Sequence, residues 1–159
     1  MLGKTAQFRR RLLNWYRQNR RDLPWRTASG CPDAYHVLVS ELMLQQTQVA
    51  TVIPYFHRFL AAFPTLATLA EASESQVLRL WQGLGYYRRA RHLHLAAQAV
   101  VSQHGGRLPD NVATLMTLPG IGRYTAGAIA SLAYGRQAPI LDGNVVRVLC
   151  RPFLWLVSI

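Results

Sequence analysis

Two of the chain's seven acidic residues stand where a carboxylate can do chemistry. Glu41 lies in Ser40-Glu41-Leu42-Met43-Leu44-Gln45-Gln46-Thr47, on a predicted helix among large apolar side chains. Such surroundings disfavour the charged form and raise the pKa, which suits a carboxylic acid that donates a proton near neutral pH. A glutamate on the solvated side of an amphipathic helix is the competing reading. Asp142, in Leu141-Asp142-Gly143-Asn144, reads as an N-cap, and capping is compatible with a catalytic role in the same residue.

A third stretch is Leu118-Pro119-Gly120-Ile121-Gly122-Arg123-Tyr124-Thr125-Ala126. Two glycines around one apolar residue allow a tight turn in which backbone comes close to a partner. Ile121 is expected to tuck inward and tie two helices together. The free N–H groups of the second helix then point outward toward a phosphate oxygen, with the charge of Arg123 beside them. Any helix–helix corner can use Gly-x-Gly. The whole stretch, with Pro ahead and Thr-Ala behind, resembles a helix-hairpin-helix DNA-binding element. That resemblance implies a grip on the DNA backbone through Gly120, Gly122 and Arg123 that is largely blind to sequence.

The elements that must position these residues read as helix after helix, without a convincing alternating strand. A basic helix over residues 5–20 has Phe8, Leu12, Leu13 and Tyr16 on one stripe, as in an ordinary packed helix. Its Arg-rich, acid-poor start also resembles a transit peptide faintly. A loop punctuated by Pro24, Gly30 and Pro32 follows. Helices are expected over 34–48 and 50–62, the second started or bent by Pro54. Ser73 and Gln76 have capping-box spacing and open a short helix ending near Gly83. A longer helix spans 86–103, its core stripe Leu93, Ala97, Val100 and Val101, its stop Gly105-Gly106. Arg88, Arg89 and Arg91 crowd its first turns against the helix dipole, which a binding role or a solvated face would explain. Two short helices over 112–118 and 123–134 flank the glycine turn, and Asp142 caps the last helix.

At 159 residues the chain suits one domain, divided as 1–22, a DNA-binding part over 23–135 with the hairpin near 112–134, and 136–159. It is 50% hydrophobic and 16% charged, enough for a core and against disorder. Eighteen Lys and Arg against seven Asp and Glu leave +11, which points to a polyanion, nucleic acid first. Mere solubility is the bland alternative, although a single lysine among the eighteen favours bidentate phosphate contacts by arginine. Cys31 and Cys150 form no metal-spaced pair and are expected to be reduced thiols. No apolar run approaches the ~20 residues that span a bilayer, so no membrane partner is expected.

Taken together, the segments resemble the adenine-specific mismatch DNA glycosylases, MutY-type members of the endonuclease-III-like helix-hairpin-helix superfamily. The matching stretches are Leu23-Pro24-Trp25-Arg26, Ser40 to Thr47 continuing from Val49 to Phe56, Gly83-Leu84-Gly85-Tyr86-Tyr87, Leu118 to Ala126, and Ile140-Leu141-Asp142-Gly143-Asn144-Val145. They run in family order over roughly residues 8–150. The resemblance implies an all-α helical bundle or barrel and removal of adenine mispaired with 8-oxoguanine or guanine in double-stranded DNA. It implies that Glu41 protonates the adenine and Asp142 stabilises the sugar cation. Tyr124 stands where bifunctional relatives carry a Schiff-base lysine. Gln46 and Tyr86 match residues that wedge into the base stack, and Trp25, Arg26 and Leu44 match the lining of the extruded base's pocket. Core packing remains the other reading for the aromatics. The chemistry agrees: one protonated carboxyl serves the leaving base while one carboxylate faces the oxocarbenium ion, as in glycoside hydrolysis.

The family normally continues into a four-cysteine iron–sulfur loop and often a further domain, and those cysteines are missing here, so a C-terminally truncated chain without that cofactor or any metal is expected. Residues 151–159 are apolar and unlike the family, and Pro152 is expected to break the last helix. The stripe on the first helix is then expected to lack its packing partner. Two alternatives stand beside the enzyme: an inactive DNA-binding remnant, and a sister glycosylase for thymine mismatches or oxidised pyrimidines. A monomer is expected, cytoplasmic at the nucleoid in a bacterium, nuclear or mitochondrial in a eukaryote.

Overall fold

The computed structural model describes residues 2–26 and 31–153. Gly30 and residues 154–159, most of the atypical end, lie outside them. The described residues are helical throughout their regular structure, in the order α1 (Leu2–Asn19), α2 (Ala34–Leu44), α3 (Val49–Ala62), α4 (Leu66–Glu71), α5 (Glu74–Trp81), α6 (Arg88–His104), α7 (Val112–Leu115), α8 (Arg123–Ala128) and α9 (Gly143–Phe153). Between α8 and α9 the chain continues through a π-helical turn, Ile129–Ala133.

α2 is the central element because it is apolar nearly all round, the pattern of a helix buried on every side. Val37, Leu38, Val39, Leu42 and Met43 are all buried, and α3, α6, α8 and the π turn pack around it. Asp33 caps its start, its carboxylate accepting the N–H groups of Tyr35 at 2.8 Å and His36 at 3.2 Å. Phe56 and Phe59 of α3, Trp81 of α5 and Leu93 of α6 complete the core, with Phe59 edge-on to both Phe63 and Trp81.

The local signals held where they rest on backbone hydrogen bonds. Ser73 and Gln76 form the reciprocal capping box of α5. Gly105 ends α6 in the left-handed conformation at φ 58°. A second box, Thr65 with Thr68, opens α4 and was not anticipated, because threonine replaces the usual Glu or Gln at the third position.

Two expectations need correction. Val101 is 38% exposed; Leu93, Ala97 and Val100 carry the buried face of α6 together with Ala90 and Ala96. α9 carries on through Pro152 to Phe153, since a proline there removes only one hydrogen bond from an eleven-residue helix. On α1, Leu12, Leu13 and Tyr16 are exposed, in line with the expected loss of their packing partner, and Phe8 is half-buried. No helix among the described residues is long and apolar enough to cross a membrane.

Candidate active site

Glu41 projects from α2 between buried Ser40 and buried Leu42 and is itself half-buried. Burial raises its pKa from 4.5 to about 7; the Arg26 guanidinium and a hydrogen bond donated by the Tyr124 hydroxyl act in the opposite direction. The carboxyl is therefore divided between acid and carboxylate at neutral pH. Tyr124, on the first turn of α8, is raised in turn, first by burial and then by the charges of Glu41 and Asp142. Tyr124 thus stands within electrostatic reach of both carboxylates. Arg26, Glu41, Tyr124 and Asp142 come from four separate parts of the chain and form one charged cluster.

Asp142 is the N-cap the sequence suggested. Its Oδ1 accepts the Val145 N–H at 2.7 Å, and Oδ2 accepts from Asn144 Nδ2 at 3.3 Å. A contact that sequence could not show brings it to Tyr124. Gly127 of α8 is buried, and a Cβ there would collide with the carbonyl oxygen of Pro139. Lacking a side chain at Gly127, α8 accepts the segment leading into Asp142 directly against its backbone.

Trp25 is 5% exposed and meets Phe56 edge-on, with centroids 5.2 Å apart. Arg26, the next residue, is exposed, and its charge reaches Glu41. Leu44 is half-buried against the core at the end of α2.

Gln46 and Tyr86 are the two non-glycine residues with positive φ among the described residues, at 59° and 49°. Both are exposed, and with Gln45, Tyr87 and His92 they line one open cleft. The arginine between them resolves the question over the basic start of α6. Arg89 is buried, neither solvated nor presented to a partner. Its Nη1 donates to the carbonyls of Leu42 at 3.0 Å, Met43 at 2.7 Å and Gln45, the acceptors left without helical partners at the end of α2. Its Nη2 donates to Thr47 Oγ1 at 3.2 Å, Leu84 O at 3.3 Å and Gly85 O at 3.2 Å. Arg91 pairs with Glu74 at 2.8 Å, and Arg88 Nε reaches the His92 ring at 3.4 Å.

The glycine turn joins α7 and α8 with Ile121 buried at 4%, as its spacing suggested. The two glycines differ. Gly120 has φ +72°, and a Cβ on it would collide with His92, so its glycine requirement arises inside the protein. Gly122 caps α8 without any side-chain bond and faces open space. Arg123 and Tyr124 follow it, both exposed, and the first N–H groups of the helix lack helical acceptors.

Residues 39–156 match the family described as HhH-GPD superfamily base excision DNA repair protein. The chain is similar to an adenine DNA glycosylase of Rattus norvegicus, with 55% identity over 156 residues, covering 94% of this chain and 30% of that protein. It is similar in structure to a thermostable thymine-DNA glycosylase, at TM-score 0.84 and 30% identity, over 92% of this chain and 67% of the other. An endonuclease III solved in a non-covalent complex with DNA shares the fold at TM-score 0.73 and 22% identity, over 90% and 66%. The chain therefore spans about a third of the length of the rat protein it matches.

Proposed function

Because the chain belongs to the HhH-GPD superfamily of base excision DNA repair proteins, we propose that it hydrolyses the N-glycosidic bond of adenine mispaired with 8-oxoguanine or guanine in duplex DNA. The observation that carries this reading is the Glu41 carboxyl, held at a pKa of about 7 beside Tyr124 and within one cluster with Asp142. Its sequence setting and the 55% identity to a relative named for adenine favour adenine over thymine.

In this reading Glu41 gives its proton to a ring nitrogen of the extruded adenine, and the glycosidic electron pair leaves with the neutral base. The oxocarbenium ion that develops on the sugar faces the Asp142 carboxylate, whose capping bonds fix its position. Water adds to the sugar carbon, and its proton returns to the Glu41 carboxylate. The product is an intact abasic site. A Schiff base needs an amine, and the chain's only lysine is Lys4. Gly122 and the N–H groups after it hold a phosphate, Gln46 and Tyr86 enter the stack, and the pocket wall includes Trp25, Arg26 and Leu44. The described residues do not fit an iron–sulfur cluster: Cys31 and Cys150 are single and exposed, and no three metal-binding side chains gather. No step is routed through one.

Single-turnover release of adenine from a duplex carrying it opposite 8-oxoguanine tests the reading. Glu41→Gln keeps the shape and loses the proton, so release should fall by roughly 10²–10⁴-fold while binding persists. Borohydride should trap no covalent complex. Release by the variant at the wild-type rate, or efficient trapping, overturns the assignment. The net charge of +11 and the start of α8 at Gly122, which has no side-chain cap, also support a second reading, DNA binding without catalysis. Binding without any release by the wild-type chain would select it.

A further inference from the structure

We infer that Arg89 is a positioning residue that locks Gln46 and Tyr86 together as one rigid wedge for opening the base stack. The inference rests on the reading of the chain as a base-extruding glycosylase. Each of the two residues sits in the left-handed conformation that a side chain disfavours, at φ 59° and 49°. Such strain persists only where the surroundings over-determine it, and it gathers at clamps and functional sites.

Arg89 is what over-determines it here. One guanidinium nitrogen binds the carbonyls of Leu42, Met43 and Gln45, which immediately precede Gln46. The other binds Thr47 Oγ1 just after Gln46 and the carbonyls of Leu84 and Gly85 just before Tyr86. The guanidinium also lies 5.4 Å from the Tyr86 ring centroid and 5.5 Å from that of Trp81. One planar fork thus spans two loops that are about forty residues apart in sequence, and both exposed tips emerge from it into one cleft. A lysine carries the charge but offers three donors from one point, which cannot reproduce the fork.

The role separates from general stability because a wedge matters only where there is a stack to open. Adenine release is measured under single turnover from a duplex and from a single strand of the same sequence, for wild type and Arg89→Lys. The ratio of duplex to single-strand rate should fall about tenfold in the variant, as expected if one strained tip relaxes. Enhanced 2-aminopurine fluorescence on binding a duplex should be lost in parallel. Thr47→Val removes a single partner of the fork and should lower the same ratio by a smaller factor; it decides the matter if Arg89→Lys does not fold. An unchanged ratio in the folded variants overturns the inference, as does an equal loss on both substrates. Absence of release from both substrates by wild type overturns instead the glycosylase reading on which it rests.

Discussion

Replacing Glu41 by glutamine should make the protein more stable at alkaline pH while removing its chemistry. The wild-type carboxyl titrates at 4.5 when unfolded and at about 7 when folded, with burial the leading cause. Between those values the folded state holds a proton that the unfolded state releases. Stability from this group is therefore complete below pH 4.5 and is lost as pH rises to about 7. At 1.36 kcal/mol for each pH unit, the loss has a ceiling of about 3 kcal/mol. Glutamine does not titrate, so the stability difference between variant and wild type should grow by up to that amount from pH 4 to pH 8. In a chain of this size that is a relative gain in Tm of roughly 6–12 °C. Taking the difference cancels the other titrating groups, which both proteins share. Urea unfolding or calorimetry at half-unit pH steps, with adenine release followed in parallel, provides the assay. Parallel stability curves across pH 4–8 would show that Glu41 is not desolvated and would remove the basis for its role as an acid.

Other perturbations follow from the same geometry. Tyr124→Phe removes the hydroxyl that lowers the Glu41 pKa, so the alkaline limb of adenine release, near pH 7 in the wild type, should move up by roughly half a pH unit; a downward shift contradicts the hydrogen bond. Gly122→Val adds a side chain in open space and should raise Kd for matched and mismatched duplexes alike by about tenfold at unchanged Tm. Gly120→Val should instead lower Tm, by its clash with His92 and its strained φ of +72°, so equal stability of the two variants would refute the distinction. Gly127→Ala drives a methyl group into the Pro139 carbonyl and displaces the segment holding Asp142, so kcat should fall severalfold with KM little changed; wild-type kcat in a well-folded variant would show that this contact does not place Asp142.

Signals that act within a few residues were legible before the fold. The capping box at Ser73, the glycine stop at Gly105, the cap at Asp142 and the buried tie at Ile121 are all decided by local backbone hydrogen bonds or turn geometry. The large apolar neighbours of Glu41 on α2 suggested its burial and raised pKa but left a solvated position open, which the packing around α2 decides. Arg89 was not legible. It stands in Arg88-Arg89-Ala90-Arg91, where spacing cannot say which guanidinium turns inward, and its acceptors lie on α2 and the loop before α6. Gly127 was missed for a similar reason, since only the tertiary approach of Pro139 distinguishes it from its alanine neighbours. The meeting of Glu41 with Asp142 through Tyr124 is likewise a property of packing, which the family resemblance implied and residue spacing could not.

In the proposed reading the two carboxylates take complementary roles from different surroundings. Glu41 is tuned by withdrawal from water on α2, with burial the leading cause. Asp142 sits at a helix start, where backbone and side-chain N–H groups satisfy a negative charge. Different surroundings are what divide acid from electrostatic stabiliser in a pair of like residues. In the proposed reading the proton donor and one wedge tip share a single short segment. Glu41 lies on α2, and Gln46 follows five residues later, just beyond the end of that helix at Leu44. Arg89 clamps the carbonyls between them, so any loosening of the wedge would also misplace the acid's neighbours. That coupling is why the duplex-to-single-strand ratio, rather than the rate on either substrate, isolates the wedge.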